Sequence, residues 1–539
     1  MTRNSLIRKL NFMQFTRYQL IVVVCLYTLS YPFYASVQLF PIFAFFQPHW
    51  RCDFHSNDVT GNVTIASEHV IHEVSQNCSI VSWCPDANLS LVASYHSAAS
   101  DMGLYCDRTH SASLIATLQM SGLMIGSILF GQISDLFGRR VTAAIGILGT
   151  VLLSIISTFS VNELMLAVIR FFAGFTIAAF TVGCFTIIME VCDPHHRIFI
   201  RAWLNFWGQG RLIYALIAYL TGNWRGTFIA MALMFIPLQI FGLLIVRDPI
   251  RWLIQHGRHR QAEHVSKYID AVNKWPKNSK VPKIRNGNAG ERAMDLIDNA
   301  DEPDDSLAGL EPERKYTYKD LFATPELRKR SLLCAILYFA CACVSYGMDL
   351  KTGYLPGNIY LNQIMIACCI IVGKPLIYFV DRYFPGFNRR LLHQVSMGVA
   401  VVCIGIICIL EQYPGKVTNT ASLVICMIGL VVLEWQWDAA NLLSIELFPT
   451  VVRSCGVAFS AIVGRFGNVV APQVVYLSHF WSPAAYVVFI AVGTTAIIVS
   501  ALFLPETKGI DLPDDLQLQT VSLEDDKVRR KSLRMSIAN

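Results

Sequence analysis

Several ionisable side chains stand inside long apolar runs of this sequence, among them Arg211, Lys374, Glu434, Asp438 and Arg465. A charge is expensive to hold in such a run, so each one is a functional candidate by default. Lys374 and Arg465 lie in different runs. Two fixed cations facing one cavity would make a favourable place for an anion, and the planar fork of Arg465 suits a carboxylate or sulfate. Glu434 and Asp438 are four residues apart, hence on one helical face. They offer three chemistries: neutralisation of Arg465, ligation of a cationic or zwitterionic guest, or proton carriage beside a basic site. Arg211 follows Gly208-Gln-Gly210, and a cavity-facing or a structurally paired position suits it equally. Phe206, Trp207, Tyr346, Trp435 and Trp437 lie near these charges in sequence. Together they would wall a cavity for an amphipathic ion; singly, any of them serves packing.

The runs that must position these groups dominate the chain. Of 539 residues, 54% are hydrophobic and 15% charged, and the mean hydropathy is +0.45. Soluble chains carry about 25% charge, so a water-soluble enzyme, a disordered chain, a collagen and a small disulfide scaffold are all excluded. The net charge of +6 comes from loops and tails and forms no nucleic-acid-binding face. A bilayer core of about 30 Å takes about 20 apolar residues in a helix. Twelve runs qualify, near 20–42, 112–133, 141–160, 164–188, 199–221, 226–246, 331–348, 358–380, 391–410, 421–446, 455–478 and 484–504. The first is too long for a signal-peptide core and reads as a retained helix.

Two polar segments divide the series. The chain then reads as an N-terminal tail (1–19), a six-helix bundle (20–246) with a polar loop (47–111), a second polar segment (247–330), another six-helix bundle (331–504) and a C-terminal tail (505–539). The loop holds Cys52, Cys78, Cys84 and Cys106 and acceptor sequons at Asn62, Asn77 and Asn88. This combination predicts a glycosylated, disulfide-bonded segment outside the cell, with three pairings open to the four cysteines. The tails and the 247–330 segment are rich in Lys and Arg, which places them and both termini in the cytosol. Within that segment, Asn286 to Pro312 has the composition of a flexible stretch.

Polar landmarks recur in both halves. Gly131-Gln-Ile-Ser-Asp135-Leu-Phe-Gly138-Arg139-Arg140 follows the second run, and Asp381, Arg382, Gly386, Arg389 and Arg390 follow the eighth. Glu190 precedes Arg197 by seven residues after the fourth run, as Glu446 precedes Arg453 after the tenth. Asp248-Pro-Ile-Arg-Trp252-Leu closes the sixth and Pro505-Glu-Thr-Lys-Gly509 the twelfth. Matching landmarks in two six-span halves are the signature of a carrier built from repeats, with its substrate site between them. Carboxylates at helix ends facing arginines in short loops would gate the cytosolic side as one half rocks against the other. Orientation alone explains the arginines but not the matched acids.

These motifs resemble the major facilitator superfamily over essentially the whole chain, outside 275–315 and the tails. The polar first loop, Asp248-Pro-Ile-Arg-Trp-Leu, Glu446-Leu-Phe-Pro-Thr-Val-Val-Arg453 and Pro505-Glu-Thr-Lys-Gly are similar to its organic cation, anion and zwitterion transporters. Leu136 departs from the basic residue usual at its place. The resemblance implies that Arg465 occupies a position aspartate in cation carriers and arginine in anion carriers, that Lys374 matches a lysine of the anion branch, and that Trp207 and Trp437 match aromatic cavity positions. Asp438 stands where the anion branch is usually uncharged.

No Gly-Lys-Ser/Thr phosphate loop, metal-spaced His/Cys cluster or nucleophile–base set is found, so no enzyme activity or cofactor is expected. The expectation is an all-α, twelve-helix plasma-membrane carrier of small organic ions, on the anion side, working by alternating access in a lipid bilayer. A second anion by exchange, or a proton, would supply the energy, and the resemblance favours exchange. A cation or zwitterion carrier using Glu434 and Asp438 is the alternative, and a non-transporting membrane sensor a further one.

Overall fold

Without water in hydrocarbon, an apolar backbone must bond to itself, and helices do so within one segment. The computed structural model describes residues 16–28, 30–47, 49–53, 72–75, 89–92, 95–192, 206–274, 318–383, 388–413, 415–449 and 452–505. Among them, ten helices are long and apolar enough to cross a membrane. These are α1 (Arg17–Gln38), α2 (Thr109–Phe137), α3 (Arg139–Ser157), α4 (Glu163–Val191), α6 (Trp224–Ile245), α7 (Pro325–Lys351), α9 (Arg389–Leu410), α10 (Lys416–Leu447), α11 (Arg453–Tyr476) and α12 (Ala484–Phe503). Two further helices fill the remaining expected places, α5 (Phe206–Thr221) and α8 (Ile359–Gly373). The chain immediately before α5 lies outside the described residues. The run that begins with α8 is interrupted at Lys374-Pro375, where proline has no N–H to donate, and resumes at Leu376–Tyr383.

Each crossing reverses the chain, so the described residues between α1 and α2 lie on one face, here the loop face. The ends of α2, α4, α6 and α10 lie on the other, the terminal face. The loop adds what an all-α reading leaves out, a three-stranded antiparallel sheet of order β2-β1-β3. It comprises β1 (His49–Asp53), β2 (His72–Ser75) and β3 (Leu89–Val92), with Cys52 opposite Glu73 and Leu89. Cys106 is disulfide-bonded. The sequons and Cys78 and Cys84 fall outside the described residues, as does Asn286 to Pro312. The start of the 247–330 segment is helical instead. His259–Lys274 packs back on α1, with the Tyr18 N–H donating to Asn273 Oδ1 at 3.0 Å and Tyr18 and Tyr268 meeting edge to face at 6.1 Å.

With lipid as apolar as any side chain, helix association rests on close packing and small residues. Helices α2 and α4 pack on each other closely. A Cβ on Gly122 would lie 2.0 Å from the Phe171 carbonyl oxygen, and one on Gly174 would lie 1.9 Å from that of Gln119. In the other half, α7 packs against α11, and α9 against α10 and α12. Between the halves α2 meets α11 and α5 meets α8.

Side chains at Gly174 should therefore be excluded while Gly131, with nothing within 4 Å of its missing Cβ, tolerates one. Gly174→Leu is expected to abolish a monodisperse gel-filtration peak and Gly131→Ala to leave it unchanged. Equal behaviour of the two variants would refute the packing.

Candidate functional site

The helix break at Lys374-Pro375 sets the first charge cluster. Lys374 Nζ lies 2.9 Å from Glu434 Oε2 and 3.8 Å from Asp438 Oδ2, both on α10. All three are largely buried, with side-chain exposures of 9%, 14% and 12%. The lysine expected as an unneutralised cation is thus ion-paired, and one ammonium faces two carboxylates. Trp435 supports the break, donating from Nε1 to the Gly373 carbonyl at 3.1 Å. Its ring packs with Ile377, Leu392 and Ala439, which is a structural place. Trp437, two residues on, donates to Ser345 Oγ at 2.8 Å and meets Tyr338 edge to face.

Arg211 of α5 is buried, and its guanidinium pairs with Asp349 of α7. The Trp207 indole also reaches this carboxylate. The pair joins the two halves, and the structural alternative for Arg211 is the one realised. Tyr346, one turn before Asp349, is buried with no hydrogen-bond partner for its hydroxyl among the described residues. The side chain of Phe206 falls outside the described residues.

Arg465 sits midway along α11, half-buried. Its guanidinium faces the Tyr34 hydroxyl of α1, across the interface between the halves. Among the described residues no carboxylate stands within ion-pair distance of it. Neither Glu434 nor Asp438 neutralises it; both are committed to Lys374.

The comparisons with known proteins agree with this architecture. The model of the family described as sugar (and other) transporter matches residues 85–514. The chain belongs to the sugar (and other) transporter family. It is a multi-pass membrane transporter with the major facilitator fold, not an enzyme. It is similar to an uncharacterised Caenorhabditis elegans protein, F23F12.3, at 29% identity over 89% of this chain and 90% of that one. It is similar to human solute carrier family 22 member 7, at 28% over 78% and 72%, and to the Drosophila melanogaster organic cation transporter protein, at 26% over 87% and 81%. The inward open xylose transporter XylE of E. coli shares its fold, with a TM-score of 0.60 over 93% of this chain and 99% of that one at 14% identity.

The landmarks on the terminal face pair within each half. Arg139 bonds Asp135 at 2.9 Å and Glu190 at 3.2 Å. The Arg140 N–H donates to Asp248 Oδ1 at 2.8 Å, and its guanidinium donates to the Leu243 carbonyl at 2.9 Å. Gly138 adopts φ +111°, and a Cβ there would meet Asp248 and Trp252 at 3.2 Å. Trp252 in turn donates to the Asp135 carbonyl at 3.0 Å. In the second half Arg389 approaches Glu446 at 3.5 Å, Arg390 donates to the Ala501 carbonyl, and Arg453 donates to that of Phe448. Arg197 and the Asp381 side chain lie outside the described residues. Among the described residues no ion pair crosses between halves on this face. The crossings gather on the loop face: Ser113 Oγ donates to the Pro472 carbonyl at 2.8 Å, Gln473 Nε2 to Thr117 Oγ1 at 2.9 Å, and Tyr219 meets Tyr360.

Three charged or polar partners escape the sequence reading. Asp349 lies one residue past the expected end of its run at 348, because α7 continues to Lys351. Tyr34 carries no charge to flag it. Arg170 lies inside the run 164–188, and its intramembrane position was the available signal. Its guanidinium is 3.4 Å from the Phe40 ring centroid and 4.7 Å from that of Phe228, and it donates to Ser157 Oγ at 2.9 Å.

Removing one member of a buried pair strands the other, at about 3–5 kcal/mol. Asp349→Asn is therefore expected to lower the thermal unfolding temperature of the detergent-purified protein strongly. The double variant Arg211→Gln/Asp349→Asn should recover much of the loss. Additive losses in the double variant would contradict the pairing.

Proposed function

We propose that this protein carries small organic anions across the plasma membrane by alternating access, with Arg465 as the fixed countercharge. The supporting observation is the contrast between Arg465 and three other basic groups of the membrane domain. Lys374 and Arg211 have carboxylate partners and Arg170 lies between phenyl rings, whereas Arg465 faces a tyrosine at the boundary between the halves. A carboxylate or sulfate would complete the neutralisation of Arg465, with Tyr34 as a further hydrogen-bonding group. The similarity to solute carrier family 22 members supports an organic-ion substrate.

In this reading the loop face is extracellular, with 47–111 glycosylated and disulfide-bonded, and both termini are cytosolic. Contacts between the halves on the loop face and none among the described ion pairs opposite correspond to a state closed to the outside. Rocking would exchange the hydrogen bonds at Ser113 and Thr117 for contacts among the cytosolic landmarks. Exchange against a second anion or entry of a proton would drive net movement. A second reading rests on the two carboxylates that face Lys374: a zwitterion or cation would use Glu434 and Asp438. The relative named as an organic cation transporter supports it.

Uptake into proteoliposomes separates the two. A charge-assisted contact is worth about 1.5–3 kcal/mol, or about 10–100-fold in affinity. Arg465→Asp should raise KM for a labelled aromatic carboxylate by about that factor, and Asp438→Asn should leave it within a few fold. Unchanged carboxylate uptake by Arg465→Asp would sink the anion reading. Loss of quaternary-ammonium uptake in Asp438→Asn would establish the second.

A further inference from the structure

A cavity of about 330 Å³ lies on the loop face, away from Arg465, with walls from both halves. Phe45, just after the short helix Phe40–Ala44 that follows α1, and Ser113 of α2 line one side; Lys351, Tyr354 and Tyr476 line the other, with Glu411 at the rim. The volume suits a small ligand rather than a single water.

Its chemistry is set by Lys351. This side chain is only 6% exposed, yet its ammonium is loosely held. Among the described residues its polar side-chain contacts are Ser478 Oγ at 3.4 Å and Glu411 Oε1 at 3.8 Å, the second beyond hydrogen-bond length. An ammonium has three donors, so two contacts of that length leave most of its capacity unused. Aromatic faces complete its surroundings, Tyr486 at 4.4 Å and Tyr354 at 5.9 Å. Glu411, with a side chain 36% exposed, presents a carboxylate to the same space.

From this juxtaposition we infer that the cavity binds a small zwitterion of the amino-acid type, its carboxylate on Lys351 and its ammonium on Glu411. A ligand carrying only an anion would complete the lysine but face Glu411, and one carrying only a cation would face Lys351. A zwitterion satisfies both, and opens an ion pair too long to resist. An aromatic side chain would pack against Phe45 and Tyr476. Because the walls come from both halves, the cavity exists in this form only while the loop face is closed. Its occupant favours that closed state by its differential affinity, so the site regulates transport rather than carrying substrate.

Three probes with one body and different charges test this: L-phenylalanine, phenylacetate and phenethylamine, added to the full-length protein in detergent. At about ten times its Kd, phenylalanine should raise the unfolding temperature by about 2 °C, with no rise for the other two. Lys351→Gln and Glu411→Gln should each lose the rise. Arg465→Gln should keep it, which separates this site from the central one whether or not the anion reading holds. If Lys351→Gln does not fold, Glu411→Gln decides alone. No rise in the wild-type protein, an equal rise with phenylacetate, a rise that survives Glu411→Gln, or its loss in Arg465→Gln would each overturn the proposal.

Discussion

A medium that cannot solvate charge governs this molecule. Every ionised group in the membrane domain has to find its compensation in the protein, and the arrangement of helices is in large part the arrangement of those compensations. Lys374 finds Glu434 and Asp438 across α8 and α10. Arg211 finds Asp349 across α5 and α7, and Arg170 lies over the rings of Phe40 and Phe228. Against that background Arg465, facing Tyr34, is informative by contrast. A transporter site must be incomplete on its own, since a fully compensated charge gives a substrate nothing to do.

The two faces of the protein divide the remaining work. On the terminal face the arginines of each repeat hold their own half together. Gly138 lets the α2–α3 turn approach Asp248 and Trp252 closely enough for one aspartate and one tryptophan to close it. Near the loop face the halves hold each other, through Ser113 on Pro472, Gln473 on Thr117 and Tyr219 on Tyr360. Rigid halves with one closed seam are what a rocking mechanism needs, and the close α2–α4 packing at Gly122 and Gly174 gives the first half that rigidity.

The fold was legible in the sequence because its strongest signal is local. A run of 20 apolar residues identifies a membrane helix with no knowledge of its neighbours, and the recurring landmarks reveal the two halves. The polar loop was harder, since the pairing of β1 with β2 and β3 joins segments far apart in the chain. The site was only half legible. The types Lys374, Arg465, Glu434 and Asp438 could be read, but which acid meets which base depends on helix rotation and depth, which no local pattern encodes. The expectation that Lys374 joins Arg465 as a second unneutralised cation fails for that reason. Asp349 was lost to a helix end misplaced by a few residues, the least certain quantity in any such reading. Trp435 and Trp437 are two residues apart and so point in different directions from one helix, one into packing with Ile377 and Leu392, the other toward Ser345.

The Arg211–Asp349 pair also bears on biosynthesis. The two residues are 138 apart in the chain, on opposite sides of the 247–330 segment. A ribosome delivers α5 to the translocation machinery well before α7 exists, so the first bundle reaches the bilayer with an arginine whose countercharge is still unmade. Arrival of α7 is then the moment at which that helix can settle, and the second bundle acts as an assembly partner for the first.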